Sequence, residues 1–448
     1  MSADATLKRE LGSRDLALFA IACIVGTRWI ASAAHAGPGS ILLWVLAAIF
    51  LLIPLSIATA ALTVRHPEAG GLYRWTRADF GPWHAFLAFW VYWTGIAFWF
   101  PSAAMFYTSV ALSGTAHAGD RLWLIGLSLA AIWTGLGTNI VGVKIGKWTE
   151  NTGASASWIL GILFAGVAFV AWRRRGSATA LHMMPELNWG TVSFWATIAY
   201  AMTGIEMAGL MGSEIRDPAR SLPRAAWISS VFVTLFYVGT TLSLLILLRP
   251  EAISELDGIA QAGSVAGRIV GAAWLPRALV LLVLATAIGQ FGGLGSSVSR
   301  MPFAAGVDHL LPAAFAKVHP RWNTPHVSII CFGAIASAML VLLQFGDTVR
   351  AAYQTLVSLM VIGGFFPYLY MFGSAWKAGK RWSAIAGIGV TILAIVCSVV
   401  PTAEIHNVWL FEAKLAAGTI AMLVSAWGIY WRYSRVKSRG GLPSPSTS

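Results

Sequence analysis

The stretch Leu16-Ala17-Leu18-Phe19-Ala20-Ile21-Ala22-Cys23-Ile24-Val25-Gly26-Thr27-Arg28-Trp29-Ile30-Ala31-Ser32-Ala33-Ala34-His35-Ala36 is apolar overall, but its centre holds a glycine, a hydroxyl and a guanidinium. Roughly 20 apolar residues in a helix cross a hydrocarbon core about 30 Å thick. Glycine weakens a helix, and arginine at mid-depth costs about 2.5–3.5 kcal/mol on insertion scales. The span is therefore expected to come apart near Gly26. Backbone exposed in that way is tolerated at membrane depth only where it lines a protein cavity.

Eleven more apolar runs, bounded by charges, Gly and Pro, follow along the chain. The twelve have approximate limits 16–36, 38–64, 83–113, 121–142, 153–172, 191–213, 225–249, 271–299, 326–345, 351–373, 383–401 and 412–432. The expected fold is an all-α membrane protein with 12 transmembrane helices. Composition points the same way: of 448 residues 57% are hydrophobic and 11% charged, and mean hydropathy is +0.70. A soluble protein that apolar could not cover its surface. Residues 65–82, with Pro67, Gly70, Gly71 and Pro82, read as a re-entrant or interfacial connector. The polar tail from Ser438 to Ser448 reads as disordered.

A net charge of +13 raises the question of nucleic acid. With the N-terminus in the cytoplasm, 21 of the 31 Lys and Arg fall on that side and 9 on the other, while Arg28 lies within a span. This is the positive-inside pattern, so both termini are expected inside the plasma or inner membrane and no nucleic acid is implied. Cys23, Cys331 and Cys397 lie in apolar runs without metal-ligand spacing and read as packing residues. No metal or cofactor is expected, and the first run reads as a span rather than a cleaved leader.

The sixth run has a matching interruption: Tyr200-Ala201-Met202-Thr203-Gly204-Ile205-Glu206-Met207-Ala208-Gly209. Here a glycine sits beside an acid at mid-span. Two broken spans five apart are the sequence pointer to a transporter built of inverted repeats, with a solute held between half-helices. Half-helix N-termini offer N–H donors to a carboxylate, and unwound carbonyls offer acceptors to an ammonium.

Four stretches resemble the amino acid–polyamine–organocation (APC) superfamily of transporters over roughly residues 10 to 430. They are Pro67-Glu68-Ala69-Gly70-Gly71-Leu72-Tyr73-Arg74-Trp75 with Gly81, then Gly204-Ile205-Glu206, and then Glu214-Ile215-Arg216-Asp217-Pro218-Ala219-Arg220-Ser221-Leu222-Pro223-Arg224-Ala225. The fourth is Ser299-Arg300 with Gly306, Leu311-Pro312, His319 and Thr324-Pro325. The resemblance implies a 5+5 inverted repeat: spans 1–5 over 16–172 and spans 6–10 over 191–373. Spans 11 and 12 over 383–432 would be peripheral, between cytoplasmic tails 1–15 and 433–448. It implies alternating access around a midplane site, with substrate-binding positions matching Gly26, Thr27, Thr203, Gly204 and Ile205 and a gating aromatic at Tyr200.

One departure stands out. Where the family's span 1 break carries a second glycine, this chain has Arg28, followed by Trp29; the glutamate/4-aminobutyrate exchanger branch is similar in having Arg there. The substitution removes a residue free to adopt positive φ and adds a fixed cation with five donors. Arg28 is expected either to grip a second carboxylate on the substrate or to pair with Glu206. A cationic polyamine is disfavoured, because an unneutralised Arg in low dielectric repels it. Glu206 is the coupling candidate, so a proton or an exchanged solute is expected ahead of sodium. His35 is a lesser candidate, otherwise a polar anchor, and Ser296 and Ser297 stand where sodium-coupled relatives place hydroxyl ligands. Trp99 is a candidate pathway residue.

The expected activity is secondary active transport, symport or antiport, of an amino acid or related solute, with no catalytic residues. The alternatives are a membrane-embedded enzyme or a transporter-like receptor. The first would need an HExxH, a P-loop or a GxSxG turn, none of which is present. The second would need a signalling domain that a tail of about 16 residues does not supply.

Overall fold

A computed structural model describes residues 11–342, 349–400 and 407–439, apart from single positions 69, 114, 187 and 256. The tail up to residue 10, the tail beyond 439 and the expected ends of spans 9 (343–345) and 11 (401) lie outside the described residues. Apart from one isolated bridge between Leu11 and Ile215, those residues form helices and connectors, with no strand.

Span 1 is two helices, α1 (Ser13–Ile24) and α2 (Arg28–His35), meeting at 51°. Span 2 runs Ser40–Arg65 as α3 (Ser40–Ala47), a π-helical turn at Ala48–Leu52 and α4 (Ile53–Arg65). Pro54 lacks the N–H that would continue the ordinary ladder, which accounts for the widened turn just before it. The connector after span 2 holds a short helix, α5 (Leu72–Phe80). Spans 3 to 5 are α6 (Pro82–Leu112), α7 (Arg121–Val141) and α8 (Val143–Arg175). Span 6 is α9 (Trp189–Ala201) and the short α10 (Glu206–Leu210), followed by a 3-10 turn at Gly212–Glu214. Span 7 is α11 (Pro218–Leu247).

Between spans 7 and 8 lies a helix with no counterpart in the sequence reading, α12 (Gly258–Val270). Its apolar residues repeat at helical spacing but it is too short to cross, so it caps the bundle instead. Span 8 is α13 (Leu275–Val298), extended past Ser299 by α14 (Arg300–Val307). Spans 9 to 12 are α15 (His326–Leu342), α16 (Val349–Lys377), α17 (Arg381–Val399) and α18 (Val408–Arg439). The last helix runs through residues 433–439, which the sequence reading assigns to the tail.

Among the described residues, nine helices are long and apolar enough to cross a membrane, and the bent span 1 pair makes a tenth. The short α15 and the two pieces of span 6 occupy the remaining expected places. The spans are locked by close glycine contacts. Gly95 of span 3 meets Gly363 of span 10 so tightly that a Cβ on Gly363 would lie 2.5 Å from the Gly95 Cα; Gly153 of span 5 meets Gly289 of span 8 at the same 2.5 Å. Without a hydrophobic drive between helices in lipid, such backbone-to-backbone packing holds them. Under a five-span repeat, the pair 3–10 maps onto the pair 8–5.

Candidate functional site

The two breaks face each other. In span 1, Val25 is extended (φ −70°, ψ 99°) and Thr27 is already back in the helical region (φ −62°, ψ −22°). Gly26 is therefore needed for room rather than for handedness: a Cβ there would lie 2.9 Å from the Trp29 indole. In span 6, Gly204 turns the chain at φ +126°. A Cβ on it would lie 3.3 Å from the Cys23 carbonyl carbon and oxygen and 3.1 Å from Ile24 Cγ1, so its bare Cα rests directly on the end of α1.

Tyr237 of span 7 ties the breaks together. Its phenol oxygen accepts from the Gly26 N–H at 2.9 Å, and it faces the Ile24 carbonyl at 2.9 Å and the Ala201 carbonyl at 3.3 Å as donor. Its ring stacks on Trp44 of span 2 at 4.2 Å and 2°. One hydroxyl thus serves backbone groups that both helix ends leave without intrahelical partners.

The two ionisable groups at the breaks are held separately. Glu206, fully buried, folds back so that Oε2 accepts from the Gly204 N–H at 2.9 Å, while Oε1 accepts from the Tyr92 phenol at 2.5 Å. Tyr368 stands beside Tyr92, with ring centroids 6.2 Å apart. Arg28, 1% exposed, donates from Nη1 to Ser102 Oγ at 2.7 Å and from Nη2 to Met360 Sδ at 3.4 Å. Its guanidinium carbon lies 4.2 Å from the Trp29 ring and 5.2 Å from the Trp99 ring. Arg28 Nε and Thr27 Oγ1 are buried without partners. Among the described residues no carboxylate lies within salt-bridge distance of Arg28. Of the two expectations for this residue, pairing with Glu206 is not what the structure contains: Glu206 takes its hydrogen bonds from Tyr92 and its own turn.

Trp29, Tyr200, Thr203, Gly204, Glu206 and Gln290 enclose a central cavity of about 30 Å³, room for about one water. Trp29 closes edge-on against Tyr200 at 6.3 Å. Trp29 also walls a second cleft of about 130 Å³, with Ser32, Ser193, Thr197 and Ser358. At the opposite end, the loops that carry the family resemblance meet one another. Arg300 Nε binds Glu214 Oε1 at 2.7 Å, both buried, and Asp308 accepts from Tyr73 at 2.6 Å, from Arg74 at 3.1 Å and from Arg77. Burial, followed by the Asp308 carboxylate, pushes the Tyr73 phenol above its ordinary value, so it remains a donor at neutral pH.

Of the residues expected at the site, Tyr200, Thr203, Gly204 and Glu206 line the cavity. Gly26, Thr27, Arg28 and Ile205 are buried next to it without lining it. Arg28 begins α2 with helical geometry, so replacing the family's second glycine costs this break no left-handed residue. Trp99, one candidate among many aromatics in the sequence, lines the cavity. His35 Nδ1 pairs with the Ile253 carbonyl at 2.9 Å, an anchor between α2 and the loop after span 7. Ser297 bonds back to the Gly293 carbonyl at 3.1 Å, and Ser296 Oγ receives Arg300 Nη1 at 3.0 Å.

Sequence reasoning missed Tyr92, Tyr237, Tyr368 and Gln290. Gln290 Oε1 accepts from Tyr107 at 2.8 Å, and its Nε2 points at the Cys23 carbonyl at 3.5 Å. An amide at mid-span flanked by Gly289, Gly292 and Gly293 was a readable signal; the tyrosines were lost among many aromatics.

A membrane-crossing bundle whose two broken helices converge on a small buried cavity, aromatic-walled with Thr203, Glu206 and Gln290 among its lining, defines a broken-helix solute carrier. The architecture resembles the crystal structure of MhsT in complex with L-phenylalanine, with a TM-score of 0.57 at 14% identity, covering 90% of this chain and 99% of that one. The amino acid permease family model matches residues 11–427, and the chain belongs to that family. It is thus a multi-pass membrane transporter and not an enzyme. It is 23% identical to an uncharacterized transporter of Legionella pneumophila, over 94% of this chain and 96% of that protein. It is 28% identical to the branched-chain amino acid permease BcaP of Bacillus subtilis, over 75% of this chain and 76% of the relative.

Proposed function

We propose that this permease is a secondary carrier, symporter or antiporter, for an amino acid whose side chain carries an acidic or otherwise anionic group. The observation that carries this reading is Arg28: a buried guanidinium beside the span 1 break, held by a hydroxyl, a thioether and two indoles, with no acid in salt-bridge distance among the described residues. An unneutralised buried cation is costly and attracts an anionic partner. The substrate's α-carboxylate is assigned to the free donors at the start of α2 and to Thr27, its ammonium to the carbonyls of Thr203, Gly204 and Ile205, and its second anionic group to Arg28. Tyr200 and Trp29 are the lid between the central cavity and the outer cleft.

Spans 1–5 and 6–10 act as inverted repeats, which the matching glycine locks 3–10 and 5–8 support. Alternating access exchanges the Trp29–Tyr200 closure for opening of the Glu214–Arg300 and Asp308 contacts at the other end. That second end faces the cytoplasm, in line with the excess of Lys and Arg, in the plasma or inner membrane. Coupling is by proton through Glu206 or by exchange.

The test is uptake into proteoliposomes of glutamate or aspartate against leucine. Arg28→Ala is expected to cut acidic uptake by about 30-fold, the equivalent of about 2 kcal/mol for a lost buried charge contact, while leucine uptake changes little. Equal loss for both substrates would give Arg28 a structural role only.

A further inference from the structure

Another cleft, far larger than the central cavity, is formed by the described residues. It lies on the flank, where span 2, the start of span 7 and the corner between spans 10 and 11 come together, and its volume is about 820 Å³. Its wall is apolar along Ile53, Ile57 and Trp227, and its mouth carries Arg65, Lys377 and Lys380 with no acidic residue in the lining. Trp227, at the lip, is 68% exposed, so the cleft opens sideways to the bilayer.

From Ile53 to Arg65 the wall follows thirteen residues of helix, about 18 Å between the first and the last at 1.5 Å per step. One leaflet of hydrocarbon is about 15 Å deep. The cleft therefore runs from headgroup level at Arg65 through a leaflet's depth of acyl chain at Ile53. Lys377 is already engaged: its Nζ donates to the Asp79 carbonyl at 2.6 Å and lies 4.2 Å from the Phe80 ring centroid. Arg65 and Lys380, both exposed, have no side-chain partner among the described residues. Two unengaged cations and one tethered cation over an apolar trough match a molecule with one anionic head and a hydrocarbon tail. A free phosphate would use the head of this site and leave the trough unfilled, while a zwitterionic lipid would fill the trough and bring a repelled ammonium to the mouth.

We propose that this cleft holds one anionic phospholipid, with its phosphodiester between Arg65 and Lys380 and an acyl chain along Ile53, Ile57 and Trp227. Because spans 2 and 7 form one wall and the span 10–11 corner the other, the lipid bridges separate parts of the bundle. The assignment is independent of which solute the central cavity takes.

The test uses the full chain purified in a neutral detergent, with thermal unfolding followed as lipid is added and bound lipid counted by native mass spectrometry. Dioleoyl phosphatidylglycerol is expected to raise the unfolding midpoint and to remain bound as a single molecule, while dioleoyl phosphatidylcholine and glycerol 3-phosphate do neither. Each surface cation contributes about fivefold to attraction of an anionic lipid, so Arg65→Gln with Lys380→Gln is expected to weaken the phosphatidylglycerol response about 30-fold. Arg173→Gln with Arg175→Gln removes the same charge from the exposed last turn of α8 and is expected to change it by less than about twofold. Equal responses to the two lipids, an equal response to glycerol 3-phosphate, or equal weakening by the two double variants would each overturn the proposal. Both pairs are surface residues, and unchanged unfolding midpoints without lipid confirm that the variants fold.

Discussion

The breaks in spans 1 and 6 look alike in sequence, each a glycine beside an ionisable residue, but they are built by different means. Span 1 bends through one extended residue, Val25, and restarts at once as a helix with Arg28 in its first position. Span 6 turns at a residue that only glycine fits comfortably, Gly204 at φ +126°, and its carboxylate folds back to cap that same turn. The span 6 acid has both oxygens hydrogen-bonded, one by its own turn and one by Tyr92 of span 3. The span 1 break leaves a cation and a hydroxyl without acidic or hydrogen-bonding completion. A break whose ionisable group is already hydrogen-bonded suits a hinge or a proton-carrying group, and one whose polar atoms lack partners suits a ligand.

This contrast is open to attack by substitution, with the largest effect expected at Gly204. Alanine there meets an unfavourable φ and the Cys23 carbonyl together, a cost of about 3 kcal/mol. A fall of many degrees in the thermal midpoint and loss of transport are expected; near wild-type stability would mean that the turn at Gly204 is not as described. Tyr237→Phe comes next. It leaves the Gly26 N–H and the Ile24 carbonyl buried without their shared partner, at about 2 kcal/mol, and both breaks are expected to loosen together in hydrogen exchange. Protection lost at only one break would show that Tyr237 does not join them.

Gly26→Ala is milder, about 1 kcal/mol, because the obstacle is a side chain that can rotate and φ is unstrained. In a Trp29→Ala background, itself destabilised by the cavity it leaves, Gly26→Ala is expected to add no further cost, whereas that background does nothing for Gly204→Ala. Glu206→Gln is smallest in stability, since Tyr92 keeps an acceptor. Its effect is expected in the pH profile of uptake, which flattens; an unchanged profile removes Glu206 from coupling.

The positions of both breaks were legible because a glycine and a charge inside an apolar run are conspicuous against their surroundings. The connector after span 2 and the loops around Glu214 and Arg300 were legible as motifs, and they meet at one end of the bundle. What escaped was azimuth. Tyr92, Tyr237, Tyr368 and Gln290 lie on continuous helices, and a single polar residue in an apolar helix reveals depth but not which neighbour it faces. Tyr237 finds its partners more than two hundred residues away in span 1. The partner of Arg28 was undecidable for the same reason, since proximity in the fold between positions 28 and 206 says nothing of which way each side chain turns. Helix α12 escaped because it is amphipathic but shorter than a span.

The most direct measurement is an experimental structure of the protein with a transported amino acid bound. The substrate carboxylate is expected within hydrogen-bond distance of the Thr27 and Arg28 amides, and its ammonium at the carbonyls around Gly204, with Trp29 and Tyr200 moved apart to admit it. Substrate found only in the cleft by Ser193 and Ser358, with Thr27 and Gly204 untouched, would contradict the convergence of the two breaks on one binding site.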